Sequence, residues 1–194
     1  MSLLNKNDLI QRYNKNQAYL LSDEGEKNYS KNKLIEHGKS FSYLSSYDIF
    51  LSHSYDDARL VRLIKEMLEE KGFSVYVDWI EDKQLDRGRV TKSTAEILRQ
   101  RMNTCASLIY LTSESAERSL WMPWELGYMD SRTGLVAVAP IIDENKNFEG
   151  REYLGLYPYI DLTNDNFYIH RSTNEWVNLK GWMAGEQPKV FNLL

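Results

Sequence analysis

The sequence predicts an open, doubly wound α/β sheet of parallel strands, and two observations carry that prediction. Between Tyr47 and about Ile142, short β-rich runs alternate with stretches of helical periodicity, giving strand, helix, strand, helix, strand, helix, strand. The runs are almost continuously apolar, most clearly Leu135 to Ile142, as strands covered by helices on both faces must be.

Each element has its own signal. Residues 1 to about 45 are rich in Asn, Lys and Ser, but Leu9, Ile10, Tyr13, Leu20 and Leu21 recur at helical spacings, so an N-terminal helical extension that packs on the rest is expected. Tyr47 to Ser52 is the first strand, and the small polar and acidic residues Ser54 to Asp57 start a helix near Asp56. In that helix Ala58, Val61, Leu63, Ile64, Met67 and Leu68 keep an apolar period while charged residues take the other side. Lys71-Gly72 ends it with a cation for the helix dipole and a residue that tolerates left-handed backbone. Phe73 to Val77 is the second strand, followed by Asp78-Trp79 and a charged loop through Arg87 and Arg89. Thr91 to Met102 reads as helix, Ala106 to Leu111 as the third strand, Glu114 to about Arg132 as mostly helix, and Leu135 to Ile142 as the fourth strand. Tyr157 to Leu162 is a fifth, and the aromatic tail with Phe167, Tyr168, Trp176 and Trp182 is expected to be core or a water-excluding lid. The resulting division is 1–45 extension, 46–162 domain and 163–194 extension packed on it.

Composition removes several function classes. A chain of 194 residues with 42% hydrophobic and 27% charged residues is an ordinary globular protein, long enough for one domain with attachments. Lys+Arg 24 against Asp+Glu 28, net −4, with no dense basic block, argues against nucleic acid as a partner. The longest apolar run falls short of the roughly 20 residues a membrane span needs, and the N-terminus is too polar for a signal peptide, so a cytoplasmic protein without membrane contact is expected. Cys105 is the only cysteine, which excludes an intrachain disulfide and a cysteine metal cluster; in its apolar run it reads as a small buried hydrophobe. His37, His53 and His170 are far apart, so no metal site is expected. Gly72, Gly88, Gly127 and Gly134 are isolated, which removes the dinucleotide fingerprint and the P-loop, and the esterase elbow Gly-x-Ser-x-Gly is missing as well.

In a doubly wound sheet the right-handed crossovers bring all strand C-termini to one edge, where the ligand crevice opens. That edge gathers the loop after Ser52, the loop after Asp78 and the turn leading from Leu111 to Trp121 and Glu125. The segment Ser119 to Gly127 is the least ordinary in the chain, with two tryptophans and a carboxylate at the start of a helix. If the helix includes Trp121, that indole and Glu125 stand at i and i+4 on one face; if it starts at Pro123, Glu125 lies in the first turn, where the dipole favours negative charge. The structural alternative is that Trp124 and Leu126 are core and Glu125 only complements the dipole.

Four phrases in order resemble the Toll/interleukin-1 receptor (TIR) domain family: Tyr47 to Ser54, its first-strand box; Gly72 to Asp78, the strand leading into its BB loop; Ser107 to Ser113, its third strand; and Trp121-x-x-x-Glu125, the tryptophan and glutamate of enzymatic members. The resemblance implies a flavodoxin-like, five-stranded parallel sheet and an enzyme that cleaves the nicotinamide–ribose bond of NAD+. It places Glu125 as the catalytic residue, Ser52, His53 and Ser54 on the ribose or diphosphate, and Asp78, Trp79 and Trp121 around the pocket. NAD+ is then substrate, and no cofactor is expected. One carboxylate suffices because nicotinamide leaves as a neutral molecule and needs no acid; the task is to stabilise an oxocarbenium-like ribose. The chain also resembles the TIR subunits of antiphage systems such as Thoeris, which implies self-association through the BB loop and a separate effector that senses the nucleotide product. Competing readings are a non-catalytic TIR interaction module and an enzyme like the nucleoside deoxyribosyltransferases.

Overall fold

In the computed structural model, the described residues are 4–16, 25, 30, 46–77, 91–113, 116–142 and 152–191. Strand β1 (Leu4–Asn5) leads into helix α1 (Lys6–Asn16); then come β2 (Tyr47–Ser52), α2 (Ala58–Glu70), β3 (Val75–Tyr76), α3 (Lys92–Asn103), β4 (Cys105–Thr112), α4 (Met122–Thr133) and β5 (Val136–Ile142). The C-terminal part adds β6 (Tyr159–Thr163), β7 (Asn166–Ser172), β8 (Glu175–Asn178), the short α5 (Leu179–Met183) and β9 (Lys189–Val190). All form one nine-stranded sheet in the order β3-β2-β4-β5-β6-β7-β8-β9, with β1 pairing β5.

From β3 to β6 every pairing is parallel, and the four elements after β5 that continue the sheet pair antiparallel from β6 onward. The parallel half follows from the crossover helices, because a parallel neighbour needs a long return path. The switch at β6 comes from a two-residue turn: Asn164 and Asp165 have φ of 49° and 60°, the left-handed pair of a tight hairpin, and Asn and Asp tolerate that geometry.

Alternation along the strands divides the core in two. Ile49, Leu51, Ile109, Leu111, Ala137 and Ala139 face Val61, Ile64 and Leu68 of α2, with Leu4 and Leu9 of the N-terminal segment in the same cluster. Phe50, Leu108, Tyr110, Val136 and Val138 face Leu98 and Met102 of α3 and Met122, Leu126 and Met129 of α4. Where it is described, the N-terminal segment packs on the sheet's helices: α1 lies against α2, and buried Arg62 donates from Nε to Ser30 Oγ at 2.8 Å. Leu20 and Leu21 lie outside the described residues. Cys105 is buried, and its Sγ lies 3.5 Å from the Arg101 carbonyl.

Of the two roles expected of the aromatic tail, core and lid, Phe167 and Trp182 take the first. Phe167 and Trp182 are buried with α2 on one sheet face, whereas Trp121 belongs to the cluster on the other face. Tyr168 and Trp176, which pack edge to face at 5.1 Å, stand on β7 and β8. In the sheet order β7 is four strands from β2, about 19 Å at the usual strand spacing. The residues read as a lid therefore widen the sheet, because their alternating pattern satisfies backbone hydrogen bonds by pairing with β6. Among the described residues no helix is long and apolar enough to cross a membrane.

The hairpin carries one buried acid. Asp161 on β6 is 3% exposed, and its Oδ1 lies 3.2 Å from Nε2 of His170 on β7. Burial raises its carboxyl pKa above the ordinary 3.8, and His170 opposes the rise. The folded state thus holds this proton more tightly than the unfolded chain. The fold has its full contribution from Asp161 below the ordinary carboxylate range and loses it as pH climbs toward the raised value. Urea unfolding across that window should show the stability of the natural chain falling relative to Asp161→Asn as pH rises; parallel pH profiles would contradict the assignment.

Candidate active site

Glu125 reaches the site through the way α4 begins. Trp121 caps the helix with φ −89° and ψ −38°, Pro123 sits in the first turn, where no N–H is required, and the Glu125 N–H donates to the Trp121 carbonyl at 2.9 Å. Trp121, as the N-cap, therefore stands one turn before Glu125, which lies in the first turn, where the dipole favours its charge. Gly134, at φ 61°, closes the other end of α4 in the left-handed conformation that a side chain disfavours.

Ser52 comes from the last position of β2. It follows Phe50 on the face turned toward α4, and its partner on β4 is Tyr110. From there its Oγ donates to Glu125 Oε2 at 2.6 Å, a contact between residues 73 positions apart. Both side chains are 0% exposed. A carboxylate enclosed to that degree needs hydrogen-bond donors to remain ionised, and a short bond from a hydroxyl is among the strong ones. One turn back, Trp121 is buried in the cluster of Met122 and Leu126, edge to face with Trp124 at 5.6 Å, and Trp124 stacks on Tyr128 at 5.8 Å. Arg99 of α3 lies 5.5 Å from the centre of the Trp124 ring, which ties α3 to the start of α4.

The remaining expected residues divide. His53 is buried and turns Nδ1 back to the Leu51 carbonyl at 2.7 Å; because a carbonyl only accepts, Nδ1 carries the proton. Ser54 is the N-cap of the 3-10 turn Tyr55–Asp57, its Oγ accepting the Asp56 N–H at 3.5 Å. The structure thus joins Ser52 to Glu125, whose N–H is bonded to the Trp121 carbonyl, and brings His53 Nδ1 to the Leu51 carbonyl and Ser54 Oγ to the Asp56 N–H. Asp78, Trp79, Arg87 and Arg89 lie outside the described residues. What sequence reading missed is the bond between Ser52 and Glu125. It read Ser52 as a substrate contact, and nothing in one sequence announces a pairing across that separation.

Comparison with known proteins decides the family. The family model described as TIR domain matches residues 49–175, well over half of the chain. The chain belongs to the TIR domain family. A Bacillus cereus (strain MSX-D12) protein named probable 3′ cyclic ADP-D-ribose synthase ThsB′ is 43% identical over 202 aligned residues, covering 94% of this chain and 98% of that protein. A Cytobacillus dafuensis protein provisionally named cyclic ADP-D-ribose synthase TIR2 is 30% identical over 83 residues, covering 42% of this chain and 22% of that protein. The TIR match runs past β6 and β7 to the start of β8, so the antiparallel hairpin lies within the matched region.

In this TIR domain the enclosed hydrogen bond has a stability consequence. Ser52→Ala leaves a buried acceptor short of one donor, which costs about 1–3 kcal/mol of unfolding free energy. Urea denaturation of the variant and the natural chain checks this, and coincident unfolding curves would show that the bond contributes nothing to the fold.

Proposed function

We propose that this chain cleaves the bond between nicotinamide and ribose in NAD+ and closes the remaining ADP-ribosyl group into a cyclic nucleotide that serves as a signal in bacterial antiphage defence. The observation that carries the reading is the fully buried Glu125 carboxylate, held by Ser52 at the C-terminal edge of the sheet. The names of the two relatives support the choice of substrate and of a cyclising outcome.

The chemistry asks little of the protein beyond electrostatics and position. As the C–N bond to the pyridinium lengthens, nicotinamide takes the bonding pair and leaves neutral, while positive charge grows on the ribose. A carboxylate facing that ring is worth more in the transition state than in the ground state, and more still within an apolar wall such as Trp121 and its neighbours. Ser52 keeps Oε2 from swinging away as the charge develops. A hydroxyl or ring nitrogen of the same nucleotide then bonds to the anomeric carbon. Where that attacker is a hydroxyl, its proton passes to Glu125. Exclusion of water from the pocket is what favours ring closure over hydrolysis.

Because Glu125 is enclosed, entry of the ribose requires the wall around it to open. Self-association through the loop of residues 78–90 is the step to which we assign that opening, with Asp78 and Trp79 bordering the nicotinamide and His53 and Ser54 near the ribose or diphosphate. On this reading residues 46–162 hold the catalytic unit, the flanking segments support it, and a separate effector reads the product.

Glu125→Gln conserves shape and removes the charge. Its thermal melt should match that of the natural chain, while NAD+ turnover, followed by mass spectrometry of all nucleotides formed, should fall by roughly 100-fold or more. Turnover at the natural rate would overturn the catalytic assignment. Parallel incubation with nucleosides separates this reading from a nucleoside-transfer enzyme, and intact NAD+ under conditions of full assembly would favour a pure interaction module.

A further inference from the structure

The two partners of the central hydrogen bond arrive on different pieces of chain. Ser52 ends β2, whereas Glu125 depends on where the connection between β4 and α4 delivers the first turn of the helix. Regular structure in that connection is limited to the 3-10 turn Ala116–Arg118 among the described residues, so the connection needs a fixed point to set its position.

Asp57 and Ser113 supply one. Asp57, 9% exposed, sits just before α2, and its Oδ2 accepts a short hydrogen bond from Ser113 Oγ, just past the end of β4. The same Ser113 Oγ accepts the Ala116 N–H at 3.1 Å, an N–H shared with the Ser113 carbonyl at 3.1 Å, so the side chain adds a second acceptor to the turn. Ala116 is itself buried in the apolar cluster that contains Trp121, Met122 and Leu126. On the other side, the Asp57 N–H donates to the Ser54 carbonyl at 3.1 Å, two residues beyond Ser52. A continuous series of contacts therefore links the end of β2, through Asp57, Ser113 and Ala116, to the residues that begin α4. A second bridge between the same loops, Arg118 to Asp56 at 3.5 Å, is exposed on both sides and too screened to fix a position.

We propose that Asp57 and Ser113 are positioning residues for catalysis: together they set the distance between Ser52 and Glu125. This rests on the reading of Glu125 as the catalytic carboxylate. The serine hydroxyl is needed because it donates to one group and accepts from another at once. Alanine removes both bonds, threonine keeps both, and Asp57→Asn keeps an acceptor but loses the charge that strengthens the bond. Displacements of about 1 Å are enough to cost large factors in rate when reacting groups must be aligned.

The test uses the full chain and the variants Ser113→Ala, Ser113→Thr and Asp57→Asn under conditions where the natural protein consumes NAD+. A second readout needs no substrate: the side-chain carboxyl carbon resonance of Glu125 in protein labelled at glutamate, assigned by its loss in Glu125→Gln. Ser113→Ala should lower kcat roughly 10- to 100-fold with KM nearly unchanged and should move the Glu125 resonance. Ser113→Thr should restore both, and Asp57→Asn should fall between. The proposal is overturned if Ser113→Ala keeps the natural kcat and resonance, or if threonine does no better than alanine. Should Ser113→Ala not fold, Asp57→Asn and Ser113→Thr decide by the same two readouts. Should the natural chain leave NAD+ intact, the NAD+ reading fails, and the resonance still judges the positioning role.

Discussion

A carboxylate with no exposed surface is held by one short hydrogen bond from a serine at the end of the first long strand, and the site depends on that contact. Glu125 and Ser52 are both fully buried and 2.6 Å apart. Moving an isolated carboxylate out of water is expensive, so the fold has to offer donors where the charge sits. Ser52 is one of them, and the first turn of α4 adds its dipole. The same enclosure that makes the charge costly also makes its field strong, which is what stabilising a ribosyl cation requires.

The parallel sheet makes this contact possible. Ser52 pairs with Tyr110 at the C-terminal edge of β2 and β4, the edge at which doubly wound sheets bind ligands, and α4 starts there with Trp121 and Glu125. Two helices on the same face of the sheet pack together there: Leu98 and Met102 of α3 share a cluster with Met122 and Leu126 of α4, and Arg99 covers Trp124. The antiparallel strands at the far end of the sheet serve a different purpose. They bury Phe167, Ile169 and Val177 with the N-terminal segment's Leu4 and Leu9, which joins both chain ends to the core on the face away from Trp121.

Much of this was legible in the sequence because local signals and global fold agree. The 3.6-residue period from Ala58 to Leu68, the apolar runs of β4 and β5, and Pro123 before Trp124 each fix an element without reference to the rest. Trp121 and Glu125 were legible as a pair because their spacing is itself the geometry of one helical turn. The bond from Ser52 was not, since it spans 73 positions and joins a strand to a helix that no local pattern aligns. The placement of the tail within the fold was not legible for a related reason. Aromatic content says that Phe167 and Trp182 will be buried, but the face they occupy is set by strand pairing through the Asn164-Asp165 turn.

The central claim, that Glu125 stabilises positive charge on the ribose as nicotinamide departs, is tested most directly by a kinetic isotope effect on NAD+ carrying deuterium at the anomeric carbon of the nicotinamide ribose. An oxocarbenium-like transition state loosens the bending motions of the C–H bond at that carbon, so the account predicts a normal secondary effect on kcat/KM, with light substrate turned over faster than heavy. Equal rates for light and heavy substrate under conditions where bond cleavage limits turnover would contradict it.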